Sequence, residues 1–175
     1  MIKSQNGTGS HFSVLGVMSG SSLDGLDLAH CLLDSSKQGW SYKIRHATTR
    51  SYPQSLRDSL ASIAALTAQE LLDLDIRLGE FIGAAIRDFI VEKQIEGLDG
   101  IASHGHTAFH NPERGYSLQI GHGAAIAAAA NVPVVCDFRS LDVALGGQGA
   151  PLVPIGDQLF FSDYAYCLNL GGYSN

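Results

Sequence analysis

Between Val14 and Asp34 the chain reads VLGVMSGSSLDGLDLAHCLLD, two apolar runs separated by a short polar turn. Val14-Leu15-Gly16-Val17-Met18 has the composition of a buried strand. Leu26, Leu28, Ala29, Cys31, Leu32 and Leu33 bring the chain back as a second, so the predicted unit is a β-hairpin with strands over 12–18 and 25–34. Ser35-Ser36-Lys37-Gln38-Gly39 turns the chain again, and the alternation from Trp40 to Tyr52 predicts a third strand. Three strands in meander order at the start of a mixed chain are a strong constraint. A doubly wound domain of the dinucleotide-binding type places a helix after its first strand, and this sequence does not.

The turn inside the hairpin carries unusual chemistry. Ser19-Gly20-Ser21-Ser22-Leu23-Asp24-Gly25 sets hydroxyls, glycines and a carboxylate between two buried strands. Free backbone N–H groups in such a turn form a concave nest for an anion, and Asp24 and Asp27 are placed to hold a divalent cation beside it. The competing reading has the two aspartates merely capping a serine- and glycine-rich turn. A P-loop is excluded because no Gly-Lys-Ser/Thr follows. Gly16-Val17-Met18-Ser19-Gly20 also fails the G-x-S-x-G pattern of a serine nucleophile elbow.

Downstream, Pro53 suits the first position of a short helix whose face is lined by Leu56, Leu60, Ile63 and Ala64. Thr67 and Glu70 form a capping box that opens a longer helix. Its stripe is Leu71, Leu74, Leu78, Phe81, Ile82, Ala85 and Phe89, and it ends near Lys93 with Gly97 beyond. Leu98 to Ser103 predicts a strand that delivers His104-Gly105-His106-Thr107 to its carboxyl end, the edge where ligands bind in open α/β sheets. Asn111 to Gly115 is a turn, Tyr116 to Ile120 a short strand and Gly121 to Ala130 an alanine-rich helix. Val132 to Cys136 predicts a buried strand ending on Asp137, with Pro133 tolerable near its start. Ala144 to Pro154 (ALGGQGAPLVP) predicts a shaped loop, and Tyr164 to Leu170 a last strand running into Gly171-Gly172.

At 175 residues the chain can bury one substantial core. Its formal net charge of -6 argues against nucleic acid as a partner. Cys31, Cys136 and Cys167 each fall in a predicted strand with no CxxC pair, the pattern of buried, reduced thiols. The first residues hold no apolar signal-peptide core, and the alanine-rich stretch at 124–130 is too short to span a bilayer. These features predict a cytoplasmic protein with no membrane partner. Residues 1–11 read as a flexible leader. The strand leading into Gly171-Gly172 reads as the start of a connection at 168–175 to a further lobe.

Four separated segments carry a family resemblance: GVMSGSSLDGLD at 16–27, SHGHTAFHNP at 103–112, DFRSLDVALGGQGAPLVP at 137–154 and LNLGG at 168–172. In this order they resemble the anhydro-N-acetylmuramic acid kinases, members of the sugar kinase, heat-shock ATPase and actin superfamily. The resemblance implies an α/β, ribonuclease-H-like lobe, with residues 12–167 forming the first of two lobes and helices flanking a mixed sheet. It implies an enzyme that uses ATP and Mg²⁺ to add water across the 1,6-anhydro bond of 1,6-anhydro-N-acetylmuramic acid and phosphorylate O6. It implies a homodimer as the assembly. Gly20, Ser21, Ser22, Asp24, Gly25 and Asp27 match the first phosphate turn, with Asp24 near the metal and Ser21 replacing the family's usual threonine. His104, Thr107 and His110 match a sugar-side loop in which His106 replaces an expected glutamine. Asp137 matches the aspartate taken as general base, Arg139 and Asp142 its support, with Asp142 the rival base. Gly147, Gln148 and Gly149 match a substrate loop, and Gly171 and Gly172 a phosphate-binding entry to the second lobe.

Two other readings follow from the residues. His104, His106 and His110, with His122 or Asp137, offer enough ligands for a metal-dependent hydrolase. Alternatively, the chain is a catalytically silent sugar-binding or assembly lobe. On the kinase reading the 175-residue chain by itself is inactive, because the family's adenosine contacts lie largely in the second lobe.

Overall fold

The structure is a computed structural model that describes residues 9–20, 22–37 and 39–168. Its sheet begins with the meander that the sequence predicts: β1 (Ser10–Ser19), β2 (Leu26–Ser36) and β3 (Gly39–Arg50), each antiparallel to the next. A pair of helices follows, α1 (Gln54–Ala61) and α2 (Ala68–Lys93), separated by a 3₁₀ turn at Ile63–Ala65. Then β4 (Gly100–Asn111) returns to lie parallel to β1, and β5 (Tyr116–Ile120) folds back antiparallel on the second half of β4. The chain continues through α3 (Gly123–Ala130), β6 (Val134–Val135), α4 (Ser140–Ala144) and α5 (Val153–Phe160). The sheet order is β3-β2-β1-β4-β5, with β6 parallel to the first half of β4. The result is a mixed α/β fold with helices against a several-stranded sheet.

One face of the sheet builds the core. Leu15, Val17, Leu26, Leu28 and Ile101 meet Leu74, Leu78, Ile82, Ile86 and Phe89 of α2, all essentially out of water. The spacing of the α2 residues places them on one stripe of a 3.6-residue helix. The capping box forms: Thr67 Oγ1 accepts from Glu70 N at 3.3 Å, and Glu70 Oε2 accepts from Thr67 N at 2.7 Å. The helix ends at Lys93, but the left-handed residue that stops it is Gln94 (φ 51°), ahead of Gly97.

Several boundaries differ from the sequence reading, each for a non-local reason. Pro53 is the N-cap of α1 rather than its first residue, and Ile63 leaves the helix for the 3₁₀ turn. Leu98 and Asp99 precede β4, whereas His104 to His110 lie inside it. Pairing with β5 draws that polar stretch into the sheet. The strand predicted over 132–136 shrinks to Val134–Val135 at the sheet's edge, and Val135 is exposed. Ser140–Ala144 and Val153–Phe160 are helical, so the predicted loop narrows to the glycines between them. Residues 164–168 are exposed and form no strand; 169–170 lie outside the described residues. The cysteine reading is corrected with them: Cys31 is half-buried on β2, whereas Cys136 and Cys167 are exposed and outside any strand. Among the described residues no helix is long and apolar enough to cross a membrane.

Candidate functional site

Because β1 and β4 run parallel as neighbours, their carboxyl-terminal halves carry the serine-glycine turn and the histidine segment to the same end of the sheet. The register pairs Ser19 with His106. A buried chain of polar groups locks that junction: Tyr52 OH donates to Ser19 Oγ at 2.7 Å, and Ser19 Oγ lies 2.9 Å from His106 Nδ1. Ser19 and His106 are 1% and 4% exposed. Burial holds the His106 pKa below its ordinary value, with the neighbouring His104 adding to the effect. Burial raises the pKa of Tyr52; its hydrogen bond to Ser19 opposes this, and the charges of Asp27 and Asp24 reinforce it. Those two carboxylates therefore lie within electrostatic reach of the network beneath the turn.

In the turn itself, Leu23 N donates to Gly20 O at 3.2 Å and Leu23 takes a left-handed φ of 56°. Ser22 Oγ donates to Asp24 Oδ1 at 2.8 Å, and Thr49 Oγ1 donates to Asp27 Oδ1. Asp24 and Asp27 are both exposed. Gly25 is buried against β3, where a Cβ would lie 2.5 Å from Thr49 Cγ2. Ser21, Gly171 and Gly172 lie outside the described residues.

On the histidine side, His104 is the hub. Its Nε2 accepts from Arg139 Nε at 3.1 Å and Nη2 at 2.9 Å, so the proton resides on Nδ1, which donates to the Gly105 carbonyl at 2.9 Å. Burial lowers its pKa, the Gly105 bond opposes that, and the Arg139 charge adds to it. Arg139 Nη1 also donates to the Gly149 carbonyl at 2.5 Å. Arg139 thus braces His104 against the glycine loop. No acid lies within salt-bridge reach of it among the described residues.

The two candidate bases are engaged differently. Asp137, exposed and in a left-handed conformation (φ 58°), uses Oδ1 to accept from Ser140 Oγ at 2.5 Å and Ser140 N at 3.4 Å; among the described residues no group is bonded to Oδ2. Asp142 is committed to the loop: its Oδ2 accepts Gly149 N at 2.7 Å and its carbonyl accepts Gly147 N at 2.8 Å. A Cβ on Gly147 would fall 2.2 Å from that carboxylate, so the loop wraps it too closely for any side chain. Gln148 is exposed at the loop's tip.

Two hollows meet at His104. An apolar groove of about 400 Å³ is walled by Met18, Asp27, Ala102, His104, Phe138 and Leu152. Behind it, a cavity of about 150 Å³ is lined by Ser103, His104, Gln119, His122 and Asp137. Of the predicted residues, the structure brings Asp27, His104 and Asp137 to these hollows, whereas Asp24, Thr107 and His110 line neither. His110 bonds Ser117 Oγ at 3.0 Å on the β4–β5 hairpin. The three histidines therefore serve three different partners, and the described residues contain no cluster of three or more His, Cys, Asp or Glu fit to hold a metal. Sequence reasoning missed Ser19, Tyr52, Ser103 and Gln119, all placed by strand pairing rather than by any local motif.

Three histidines with lowered pKa predict acid sensitivity. The folded state keeps His30, His104 and His106 neutral, chiefly through burial. The unfolded chain takes up protons near the ordinary value of 6.5, so it binds more protons than the fold as pH drops below that point. Stability is fully present above about pH 6.5 and falls on acidification toward the depressed native values. Melting temperatures measured from pH 7.5 to 5 should decline below about pH 6.5; a flat profile would contradict this assignment.

A family model described as anhydro-N-acetylmuramic acid kinase matches residues 12–175. The chain is 38% identical over 172 residues to an anhydro-N-acetylmuramic acid kinase of Synechococcus elongatus, covering 93% of this chain and 45% of the relative. It is 38% identical over 169 residues to one of Pseudomonas putida, covering 92% and 45%, and 35% identical over 175 residues to one of Bacillus thuringiensis, covering 93% and 46%. The chain spans about half the length of the curated relatives it matches.

Proposed function

The chain belongs to the anhydro-N-acetylmuramic acid kinase family, and from that premise we propose that it is the sugar- and phosphate-binding lobe of an ATP-dependent kinase. The proposed reaction adds water at C1 of 1,6-anhydro-N-acetylmuramic acid, breaks the C1–O6 bond and leaves O6 carrying a phosphoryl group. The observation that carries the reading is the parallel β1/β4 pair. It sets the serine-glycine turn at the same end of the sheet as His104, with Asp137 lining the cavity beside His104 and the glycine loop tied to His104 through Arg139. Three antiparallel strands followed by a strand parallel to the first also suit a ribonuclease-H-like lobe of the actin-like kinases. On this reading residues 12–167 form the first lobe.

The turn suits a magnesium nucleotide chemically. It presents backbone amides, the Ser22 hydroxyl and the exposed carboxylate of Asp24, a hard oxygen donor of the kind Mg²⁺ takes alongside phosphate oxygens. When bound, MgATP supplies the γ-phosphoryl group. On this reading Gly20, Ser21, Ser22 and Gly25 would hold phosphate oxygens, and Asp24, with Asp27, would hold the metal. The buried Tyr52–Ser19–His106 chain keeps the turn fixed relative to β4, so less ordering remains to be done on binding.

On the sugar side, His104 is held by Arg139 as a neutral ring with its proton on Nδ1. Asp137 acts as the general base, because it lines the cavity beside His104, where its carboxylate can take a proton from water, whereas Asp142 lines neither hollow and is wrapped by the glycine loop. The oxygen released at C1–O6 cleavage gains negative charge and is itself the phosphoryl acceptor. Removing one proton from water therefore promotes both events. Gly147, Gln148 and Gly149 contribute backbone contacts from a loop that Asp142 and Arg139 shape. A cytoplasmic homodimer acting in cell-wall recycling is the setting this reading implies. Its test is release of ADP by the full-length protein that depends on the anhydro-sugar. Sugar-independent release only, or none, would contradict it.

A further inference from the structure

The end of β3 and the residues just after it hold the serine-glycine turn at both of its limbs. On the outgoing limb, Asp27 pairs with Thr49 and Leu26 with Arg50 across the β2–β3 ladder. Thr49 Oγ1 donates to Asp27 Oδ1. Gly25 lies so close to this end of β3 that a Cβ on it would fall 2.5 Å from Thr49 Cγ2 and 3.0 Å from the Arg50 carbonyl oxygen. Two residues further on, Tyr52 crosses to the ingoing limb, where its hydroxyl meets Ser19 Oγ at 2.7 Å. Ser19 is the last residue of β1 and precedes Gly20, whose carbonyl accepts the turn's own bond from Leu23 N.

The direction of these bonds follows from their number. The Tyr52 hydroxyl has no other partner among the described residues, and a buried hydroxyl donates where it can. Ser19 has a single proton, which then goes to His106 Nδ1 at 2.9 Å and leaves His106 a neutral ring protonated on Nε2. Tyr52 donates, Ser19 relays and β4 receives. The tyrosine ring is held separately, with its centroid 5.6 Å from that of Phe81 on α2. All three groups are buried, so the chain acts on the backbone that carries the turn.

Resting on the reading of this turn as the seat of MgATP, we propose that Tyr52 is a positioning residue for the nucleotide. Through Ser19 it fixes the ingoing limb against the outgoing limb that Thr49 holds. Leu23 closes the arrangement from within the turn, left-handed at φ 56° and packed against the core. The amides between Gly20 and Gly25 keep one spacing before the nucleotide arrives, so binding a phosphate does not also require ordering them. Ser19 can keep its bond to His106 when the tyrosine hydroxyl is removed. The effect therefore falls on the turn and leaves the histidine segment in place. Tyr52 lies outside the four segments that carry the family resemblance, and only its bond across 33 positions ties it to the turn.

The test is Tyr52→Phe, which removes the hydroxyl and keeps the ring on Phe81. Calorimetric titration of the full-length protein with MgADP should give a Kd about three- to tenfold weaker than the parent's. KM for MgATP should rise alike, while kcat and KM for the anhydro-sugar hold. Ser19→Ala should weaken MgADP at least as much, and adding Tyr52→Phe to it should cost nothing further, because the tyrosine acts through Ser19. Unchanged nucleotide affinity, additive losses in the double variant, or equal losses for nucleotide and sugar would overturn the assignment. If Tyr52→Phe fails to fold, Ser19→Ala is read alone: weaker MgADP with sugar KM unchanged upholds the role, and parental affinity overturns it. Calorimetry needs no turnover. A parent that binds MgADP but leaves the anhydro-sugar unchanged loses the functional reading, and the positioning role is still decided by the Tyr52→Phe titration. A parent that binds no MgADP overturns the positioning role itself.

Discussion

Asp137→Asn should lower kcat of the full-length protein by about 10²–10⁴-fold while leaving its circular dichroism and melting temperature close to the parent's. The site makes this substitution unusually clean. Asp137 sits at φ 58°, a left-handed conformation that asparagine tolerates better than most residues. Its Oδ1 accepts from Ser140 Oγ and N at the start of α4, and an amide oxygen can accept the same two bonds. What asparagine cannot do is take a proton at the second oxygen. A fall in kcat with an intact fold therefore isolates the base. Near-parental turnover would remove Asp137 from that role and return it to the rival carboxylate, Asp142. The choice of Asp137 over Asp142 rests on placement, since Asp137 lines the cavity beside His104 and Asp142 lines neither hollow.

Gly105→Ala should destabilise the fold by about 2–5 kcal/mol, read as a lower denaturant midpoint. Two independent costs meet at this position. Its φ of +68° lies in the left-handed region, where an alanine is strained, and a Cβ there would lie 2.4 Å from the carbonyl oxygen of Ile120. That oxygen belongs to the paired strand β5, not to a flexible side chain, so relief requires the hairpin to move. Gly105 is also the point where β4 changes partners: Ile101 and Ala102 pair with β6, whereas His106 to Asn111 pair with β5. Opening the hairpin would displace His104 and Gln119 together. Any activity loss should therefore accompany the stability loss; a stable Gly105→Ala protein would contradict the register described here.

The parts of the fold legible in the sequence were those fixed by neighbours along the chain. The apolar runs on either side of Ser19–Gly25 specified the β1–β2 hairpin, and Thr67 with Glu70 marked the start of α2 to the residue. Elements whose state depends on distant partners were not legible. His104 to His110 reads as a polar loop until β5 pairs with it, and Val132 to Cys136 reads as a buried strand although only two of its residues find an edge of β4. Val153 and Pro154 read as the end of a loop, yet they open a helix, Val153–Phe160, that packs near β3, with Phe160 edge-on to Tyr42 at 5.0 Å. The site divides the same way. The turn aspartates and Asp137 stood out as residue types in motifs. The Arg139–His104 brace spans 35 positions, and the Ser19–His106 bond spans 87, so neither could be read from spacing. Ser103 carries no local signal at all beyond its alternation with Ile101.

The central claim is that the family's chemistry runs on this protein's turn, histidines and carboxylate. Mass spectrometry of the sugar after incubating the full-length protein with MgATP and 1,6-anhydro-N-acetylmuramic acid tests it most directly. The account predicts a product heavier than the substrate by one water plus one phosphoryl group. A sugar that gains the phosphoryl group without water, or that emerges unchanged from a folded protein, would contradict it.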